Sequence, residues 1–355
     1  MDEQRLRGRL AERPSDAQAW CDLAQLAKMS GQHDLTLAAY DRAYAVRPWD
    51  PVVAGLRRVA ISYVVPRWHF PMLQDRPRND AYAAAIRRTV GPDHHVLEIG
   101  TGSGLLAMLS ARAGARRVTT CEMVPIIAKA ARRVITANGL ADRIQVVTGR
   151  SQDLEVGRDV EEAGDVLVSE IIGNDFLSEG VLAAVADARK RLLNADAVVI
   201  PASAGIRVAL AGGTAIERFL TAGVYDGLDL RAFDMFRPVV LSVPETIPLD
   251  PLSGPADLFT FDFSRDASVA ADRRSIALVA TGAGRCHGVV QWIKLHLDAE
   301  TAFENAPFGP HRSHWEPMLH AFPRPIEVKA GDVVRVLAIH DVGSLMISLE
   351  APPER

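Results

Sequence analysis

Four textures along the 355-residue chain predict an N-terminal helical module, a Rossmann-like α/β domain with a doubly wound parallel sheet, and a C-terminal antiparallel β region, sandwich or barrel. Residues 1–60 are rich in Ala, Leu and Arg, with amphipathic spacing and few β-branched residues, which reads as helix. Residues 61–90 form a bridge, aromatic and proline-bearing at first and then helical. From 91 to about 205, apolar β-rich runs alternate with helical runs, the pattern of βαβ units. From about 206 to 355, short β runs stand between Pro, Gly and Asp turns, the pattern of antiparallel strands.

Within the helical module, Trp20, Leu23, Ala27, Gly31, Tyr40, Ala43 and Pro48 fall at the spacing of one tetratricopeptide (TPR) repeat. Large residues on one helix would fill gaps beside small residues on the next, and Pro48 would stop the second helix. In the α/β domain, VLEIG (96–100), RRVTTCE, IQVVTG and DVLVSE read as strands. LLAMLSARAG and IIAKAARRVITANGL read as the helices between them. In the β region, GIRVALAG, RSIALVATG, HGVVQWIKLHL and DVVRVLAIHD read as strands.

Composition excludes several function classes. Hydrophobic residues make up 48% of the chain, enough to bury a core, so intrinsic disorder is ruled out. Lys and Arg number 40 against 44 Asp and Glu, a net charge of −4, which leaves no basic excess to hold nucleic acid. Only five of those cations are Lys, a bias typical of a GC-rich, bacterial-type genome. Three scattered cysteines suit neither a disulfide framework nor a zinc site, so no metal is expected. The charged start and the lack of a long apolar run point away from a signal peptide and a membrane, towards a cytoplasmic protein.

Three local signals carry chemistry. Glu98-Ile99-Gly100-Thr101-Gly102-Ser103-Gly104 follows a strand and opens a helix, where glycines let the backbone approach a ligand. Glu122 ends the next strand, placed to accept hydrogen bonds from ribose hydroxyls. The alternating glycines depart from the dinucleotide fingerprint, which favours S-adenosylmethionine (AdoMet) over a nicotinamide dinucleotide or a purely structural turn. After the fourth strand, Ser169-Glu170 to Glu179-Gly180 could fold two carboxylates onto one cation, for which a guanidinium is suited, or could hold two solvated acids. Later, Ser313-His314-Trp315 reads as a site loop or as core packing.

Together these segments resemble the protein arginine N-methyltransferase family over about residues 60–350. EIGTGSG with Glu122 is similar to its AdoMet motif, SEIIGNDFLSEG to its double-glutamate loop, SHWEPMLHAF to its THW loop, and His69 to Arg78 to its cofactor lid. The second glutamate with the Gly180 that follows it, VYDGLDLRAFDMFRP (224–238) and the helical module most resemble the subgroup bearing N-terminal TPR repeats, as a bacterial-type member.

The resemblance implies a class I methyltransferase domain at 91–205 and a β-barrel at 206–355. It also implies lid and linker helices at 61–90 and a dimerisation arm near 212–240, hence a homodimer. It assigns Glu170, Glu179, His314 and Asp75 to catalysis, with His314 paired to Asp75 so that the barrel is tied to the lid. Cofactor contacts are implied for Tyr63, His69, Met72, Arg78, Glu98, Gly100, Gly102, Gly104, Glu122, Ser151 and Gln152. Arg78 would meet the methionine carboxylate of AdoMet, Glu122 the ribose, and Ser151 and Gln152 the adenine. Tyr63 matches one of two paired lid tyrosines; Val59 stands at the other. Glu170, Glu179, Trp315 and Met72 would line the substrate site, with Met72 influencing how many methyl groups fit.

The implied reaction is methyl transfer from AdoMet to a guanidino nitrogen of arginine, leaving S-adenosylhomocysteine. The arginine is either in a protein or peptide, or free, as in bacterial metabolite biosynthesis. For a free amino acid, His311 or Arg312 would supply a cation for its carboxylate. A catalytically silent TPR scaffold is the reading from another class; intact Glu170, Glu179 and Gly100 to Gly104 argue against it. O-methylation would leave two buried glutamates without a cationic partner.

Overall fold

A computed structural model describes residues 2–265, 270–308 and 313–350; His311 and Arg312 lie outside the described residues. The chain divides into two compact units, Met1–Pro71 and Met72–Arg355.

The first unit is helical. It contains α1 (Glu3–Glu12), α2 (Ala17–Met29), α3 (His33–Val46) and α4 (Pro51–Val64), each packed on the next. Asp2, Asp16 and Asp50 cap α1, α2 and α4 by accepting backbone N–H bonds of the first turn, which would otherwise lack partners. Leu23, Ala27, Tyr40 and Ala43 are buried between α2 and their neighbours, and Gly31 makes the intervening turn at φ +69°. The expected hairpin is therefore present, with Pro48 just past the end of α3. A short helix, α5 (His69–Gln74), spans the junction between the units.

The second unit opens with α6 (Arg76–Thr89), whose first turn carries Pro77 and whose N-cap is Asp75. Then β1 (His95–Ile99), α7 (Leu105–Ala113), β2 (Arg117–Glu122), α8 (Pro125–Ala137), β3 (Ile144–Thr148), β4 (Gly164–Ser169), α9 (Val181–Arg191) and β5 (Leu193–Ile200) alternate as predicted. The five strands form one parallel sheet in the order β3-β2-β1-β4-β5. Val96, Leu97, Val118, Val166, Leu167 and Val168 are wholly buried, as expected of parallel strands covered on both faces. The strand order reverses between β1 and β4, so loops leaving their carboxyl ends diverge around a crevice, the usual ligand position in open α/β sheets.

Among the described residues that follow are a seven-stranded and a three-stranded antiparallel sheet and a two-stranded hairpin. The centre of the larger one pairs Ser203–Gly212, Gly284–His296 and Met318–Val328. One hydrophobic core joins the parallel sheet to these antiparallel strands, with Ile206, Val289, Ile293 and Phe322 packed in the same cluster as Leu97 and Val168. Between the first two of those strands, α10 (Thr214–Leu220), a two-residue hairpin and a 3-10 turn expose Phe219, Tyr225, Phe233, Met235 and Phe236. Among the described residues no helix is long and apolar enough to cross a membrane.

Candidate active site

The glycine loop after β1 is shaped by backbone conformations that side chains oppose. Gly100, Gly102 and Gly104 have φ of +89°, +51° and +84°, in the left-handed region where glycine carries no Cβ penalty. A Cβ on Gly100 would stand 2.5 Å from the Ile171 side chain, so the glycine also lets the loop after β4 approach. Gly104 starts α7. Glu98 is buried, accepting from the Ala107 N–H (3.1 Å) while its Oε2 has no hydrogen-bond partner; burial pushes its carboxyl up to about 8. Glu122, at the end of β2, accepts from the backbone N–H groups of Gly102 (3.1 Å) and Val124 (2.9 Å). These bonds aim its carboxylate at the same crevice. Ser151 and Gln152 follow β3 in a 3-10 turn, Ser151 buried and Gln152 exposed.

The loop after β4 carries both glutamates. Glu170 is almost enclosed and forms an ion pair with Arg78 of α6, whose own side chain is 3% exposed. Burial pushes the Glu170 carboxyl up to about 7, opposed by the Arg78 charge and assisted by nearby Glu179. Arg78 also donates to Asn79 (2.7 Å), and its Nε is buried without a partner. Glu179 lies at the solvent side of the loop, its carboxyl raised by the surrounding protein and then by Asp175 and Glu122. Gly173 lets the loop fold tightly, since a Cβ there would stand 2.4 Å from Ser178 Oγ and 3.7 Å from Glu179 Cγ. Phe176 has φ +76°, a conformation that costs a non-glycine residue about 1–3 kcal/mol. It is held there by complete burial and by stacking on Phe261, ring centroids 5.2 Å apart.

The Ser313–His314 segment, which precedes the strand Met318–Val328, is joined to the start of α6 through one carboxylate. Asp75 Oδ2 accepts from the Ser313 hydroxyl (2.7 Å) and the His314 N–H (3.1 Å), and lies 3.0 Å from His314 Nδ1. Its Oδ1 caps α6 at the Arg78 N–H (3.1 Å). These donors hold Asp75 down at about 2 against the opposing effect of burial. Burial lowers the His314 pKa, so the imidazole is neutral near pH 7 and donates from Nδ1 to Asp75. Trp315 is 3% exposed; its indole N–H donates to the Ile172 carbonyl (2.7 Å), and the Glu316 N–H donates to the Asn174 side chain (3.2 Å). Trp315 and Glu316 thus anchor the glutamate loop.

The second unit therefore brings together Asp75, Arg78, Glu170 and His314 through direct bonds. Gly100 lies against the same loop through Ile171, Glu122 is bonded to the Gly102 N–H, and Glu179 lies within electrostatic reach of both Glu122 and Glu170. Met72 is buried, its Cε 4.0 Å from where a Cβ on Gly102 would be. Tyr63 and His69 belong to the first unit. There Tyr63 is exposed on α4 with the Lys28 ammonium 4.2 Å above its ring, and His69 stacks on Trp68. Sequence reasoning missed Gln291, whose Nε2 donates to the Asp175 carbonyl (2.9 Å), and His320, 2.7 Å from Gln291 Oε1. A Gln inside the apolar run HGVVQWI was the available signal. Among the described residues no cluster of His, Cys, Asp and Glu is disposed to hold a metal.

Comparison with known proteins narrows the chemistry of this crevice. Residues 83–206 match the family described as Ribosomal protein L11 methyltransferase (PrmA). The solved Trypanosoma brucei PRMT1 enzyme-prozyme heterotetrameric complex with AdoHcy superposes with a TM-score of 0.69 at 23% identity, covering 82% of this chain and 96% of that one. Arabidopsis thaliana protein arginine methyltransferase 10 does so with a TM-score of 0.62 at 22% identity, covering 78% and 96%. At such identities the likeness establishes the fold. Protein arginine N-methyltransferase 7 of Drosophila grimshawi is 29% identical over 325 residues, 77% of this chain and 45% of that protein, so the chain spans about half of this relative's length. The Arginine N(omega)-methyltransferase of Streptomyces achromogenes subsp. streptozoticus is 38% identical over 275 residues, 76% of this chain and 75% of that enzyme. With that identity along three quarters of both chains, this chain belongs to the arginine N-methyltransferase family.

Proposed function

We propose that this chain transfers the methyl group of AdoMet to a guanidino nitrogen of arginine. The observation that carries the reading is the pair of glutamates on the loop after β4, one locked to Arg78, facing a left-handed glycine loop across the strand-order switch. The residues present fit AdoMet: the glycines admit close backbone approach, Glu122 suits a ribose diol, and Arg78 keeps a buried, unpartnered N–H for a carboxylate. Ser151 and Gln152 would meet the adenine, and Met72 would flank the reacting end. When bound, AdoMet supplies an electrophilic methyl on a sulfonium.

The protein's part is positioning and charge. Glu170 and Glu179 grip the guanidinium from two sides and draw its positive charge towards themselves, leaving electron density on the remaining nitrogen. Holding that nitrogen in line is worth about 7–11 kcal/mol of barrier when orientation is near ideal. Arg78 keeps Glu170 in place and favours its charged form against the opposing effect of burial. Glu179, with its raised pKa and open solvent side, takes the proton released from the methylated nitrogen. Asp75 and His314 act by position, clamping the start of α6 to the loop that holds Trp315.

The more identical relative is named for arginine and the Drosophila one for protein arginine, which favours arginine itself as the acceptor. Arginine in a peptide is the second reading, with the first unit, read as a TPR-like module, helping to choose the partner. The two antiparallel sheets are read as the family's barrel. The apolar residues exposed from Phe219 to Phe236 are read as a dimerisation arm, which makes the protein a homodimer, and its compartment is read as the cytoplasm. Isotope-labelled AdoMet offered with free L-arginine or an arginine peptide, with products weighed by mass spectrometry, decides the acceptor. No methyl transfer to either, with AdoMet bound, overturns the reading.

A further inference from the structure

The glutamate loop has one anchor that neither the cofactor crevice nor the Asp75 clamp explains. Gln291 lies in the middle of the strand Gly284–His296, wholly buried, where the neighbouring residues Val289, Val290, Trp292 and Ile293 are apolar. Its Nε2 reaches across to the Asp175 carbonyl at 2.9 Å. The register places Val289 opposite His320 on the adjacent strand, so Gln291, two residues on, shares a face with His320. His320 is also buried, with Nε2 2.7 Å from Gln291 Oε1 and Nδ1 without a partner.

Hydrogen-bond direction runs one way along this chain. A carbonyl only accepts, so Gln291 must turn its NH₂ to Asp175 and its oxygen to His320. His320 must then carry its proton on Nε2, and the ring is neutral, burial having pushed its pKa down to about 4. The Asp175 carbonyl directly precedes Phe176, the residue held at φ +76°, and lies between Glu170 and Glu179.

We propose that Gln291 and His320 are positioning residues of the methyl-transfer site: His320 orients the Gln291 amide, and Gln291 pins the Asp175–Phe176 peptide so that both glutamates keep their spacing. The catalytic consequence rests on the arginine-methylation reading; the mechanical one does not.

The test uses Q291M, close in shape but unable to hydrogen-bond, with H320L and H320Q, the last retaining a donor for Gln291. In the full chain without substrate, amide hydrogen exchange across residues 171–180 is expected to quicken at least tenfold in Q291M and H320L, and less than threefold in H320Q. Exchange in the strand Ser203–Gly212 should stay unchanged. With substrate, Q291M and H320L should lose at least tenfold in kcat/KM for the guanidino acceptor while the Kd for S-adenosylhomocysteine moves less than threefold, and H320Q should recover most of that loss. Exchange like the wild type in folded Q291M and H320L overturns the proposal. So does quickening spread over the whole sheet, H320Q behaving as H320L, or apolar variants that cannot fold, since the pair then serves the sheet rather than the loop. Absence of turnover in the wild type would instead refute the methylation reading, with the exchange result still deciding the relay.

Discussion

Replacing Asp75 by Asn isolates the charge that joins the start of α6 to the Ser313–His314 segment. The substitution keeps size and shape, and removes the negative charge on which the Ser313 hydroxyl, the His314 N–H and His314 Nδ1 converge. An Asn oxygen can face those three donors only if its NH₂ points at the Arg78 N–H, opposing the helix cap. The proton affinity of Asp75 gives a measure of what the charge contributes. At about 1.4 kcal/mol per tenfold change, depression from 3.8 to about 2 corresponds to about 2 kcal/mol for a side chain 1% exposed. Because the folded-state pKa is the lower one, this stability is complete above about pH 4 and is lost as the pH falls towards 2. Denaturant unfolding of wild type and D75N should therefore differ by about 2 kcal/mol or more at pH 7, and the difference should shrink between pH 4 and pH 2. Equal stabilities at pH 7, or a gap that stays constant through that range, would refute the assignment of the clamp to the Asp75 charge. Turnover should fall with it, since α6 also carries Arg78.

Four further outcomes follow from the same geometry. E170Q should reduce kcat/KM for the guanidino acceptor about a hundredfold or more with AdoMet binding retained, as steady-state kinetics and calorimetry would show. Because Glu170 must be charged to grip a cation and burial raises it to about 7, kcat/KM should climb as pH rises from 6 to 8; a flat profile would contradict that role. G100A, whose Cβ meets Ile171 at a φ of +89°, should destabilise the protein by about 2–4 kcal/mol, measurable by urea unfolding. S313A removes one 2.7 Å bond to a buried carboxylate and should cost about 1.5–3 kcal/mol in the same assay.

The alternation of β-rich runs with helical runs located β1 to β4 within a residue or two, most plainly for the central strands β1 and β4, whose burial on both faces shows as a nearly continuous apolar stretch. The same rule hid the strand Gly284–His296 in part: an apolar run with Gln291 at its centre reads as a buried strand with one blemish. Trp315 was legible as a residue of interest in the THW-like loop, yet its bond to the Ile172 carbonyl joins positions 143 apart in the chain. Arg78 was expected opposite a cofactor carboxylate; its ion pair with Glu170, 92 residues away, has no local trace.

What the sequence by itself determined is local: the capped helices, the glycines whose positive φ angles shape the loop after β1, and two glutamates on one loop after the fourth strand. Those features depend on backbone conformation and short spacings, which residue type controls directly. Apart from the Asp75–His314 pair, which the family resemblance implied, tertiary structure decided which buried polar groups meet. Asp75 draws three donors from a segment almost 240 residues away, Glu170 is paired by a helix upstream of the sheet, and Asp175 is held by a glutamine from the opposite sheet. Buried polar groups must find partners wherever the packed core brings them, and that choice exists only once distant strands share one interior.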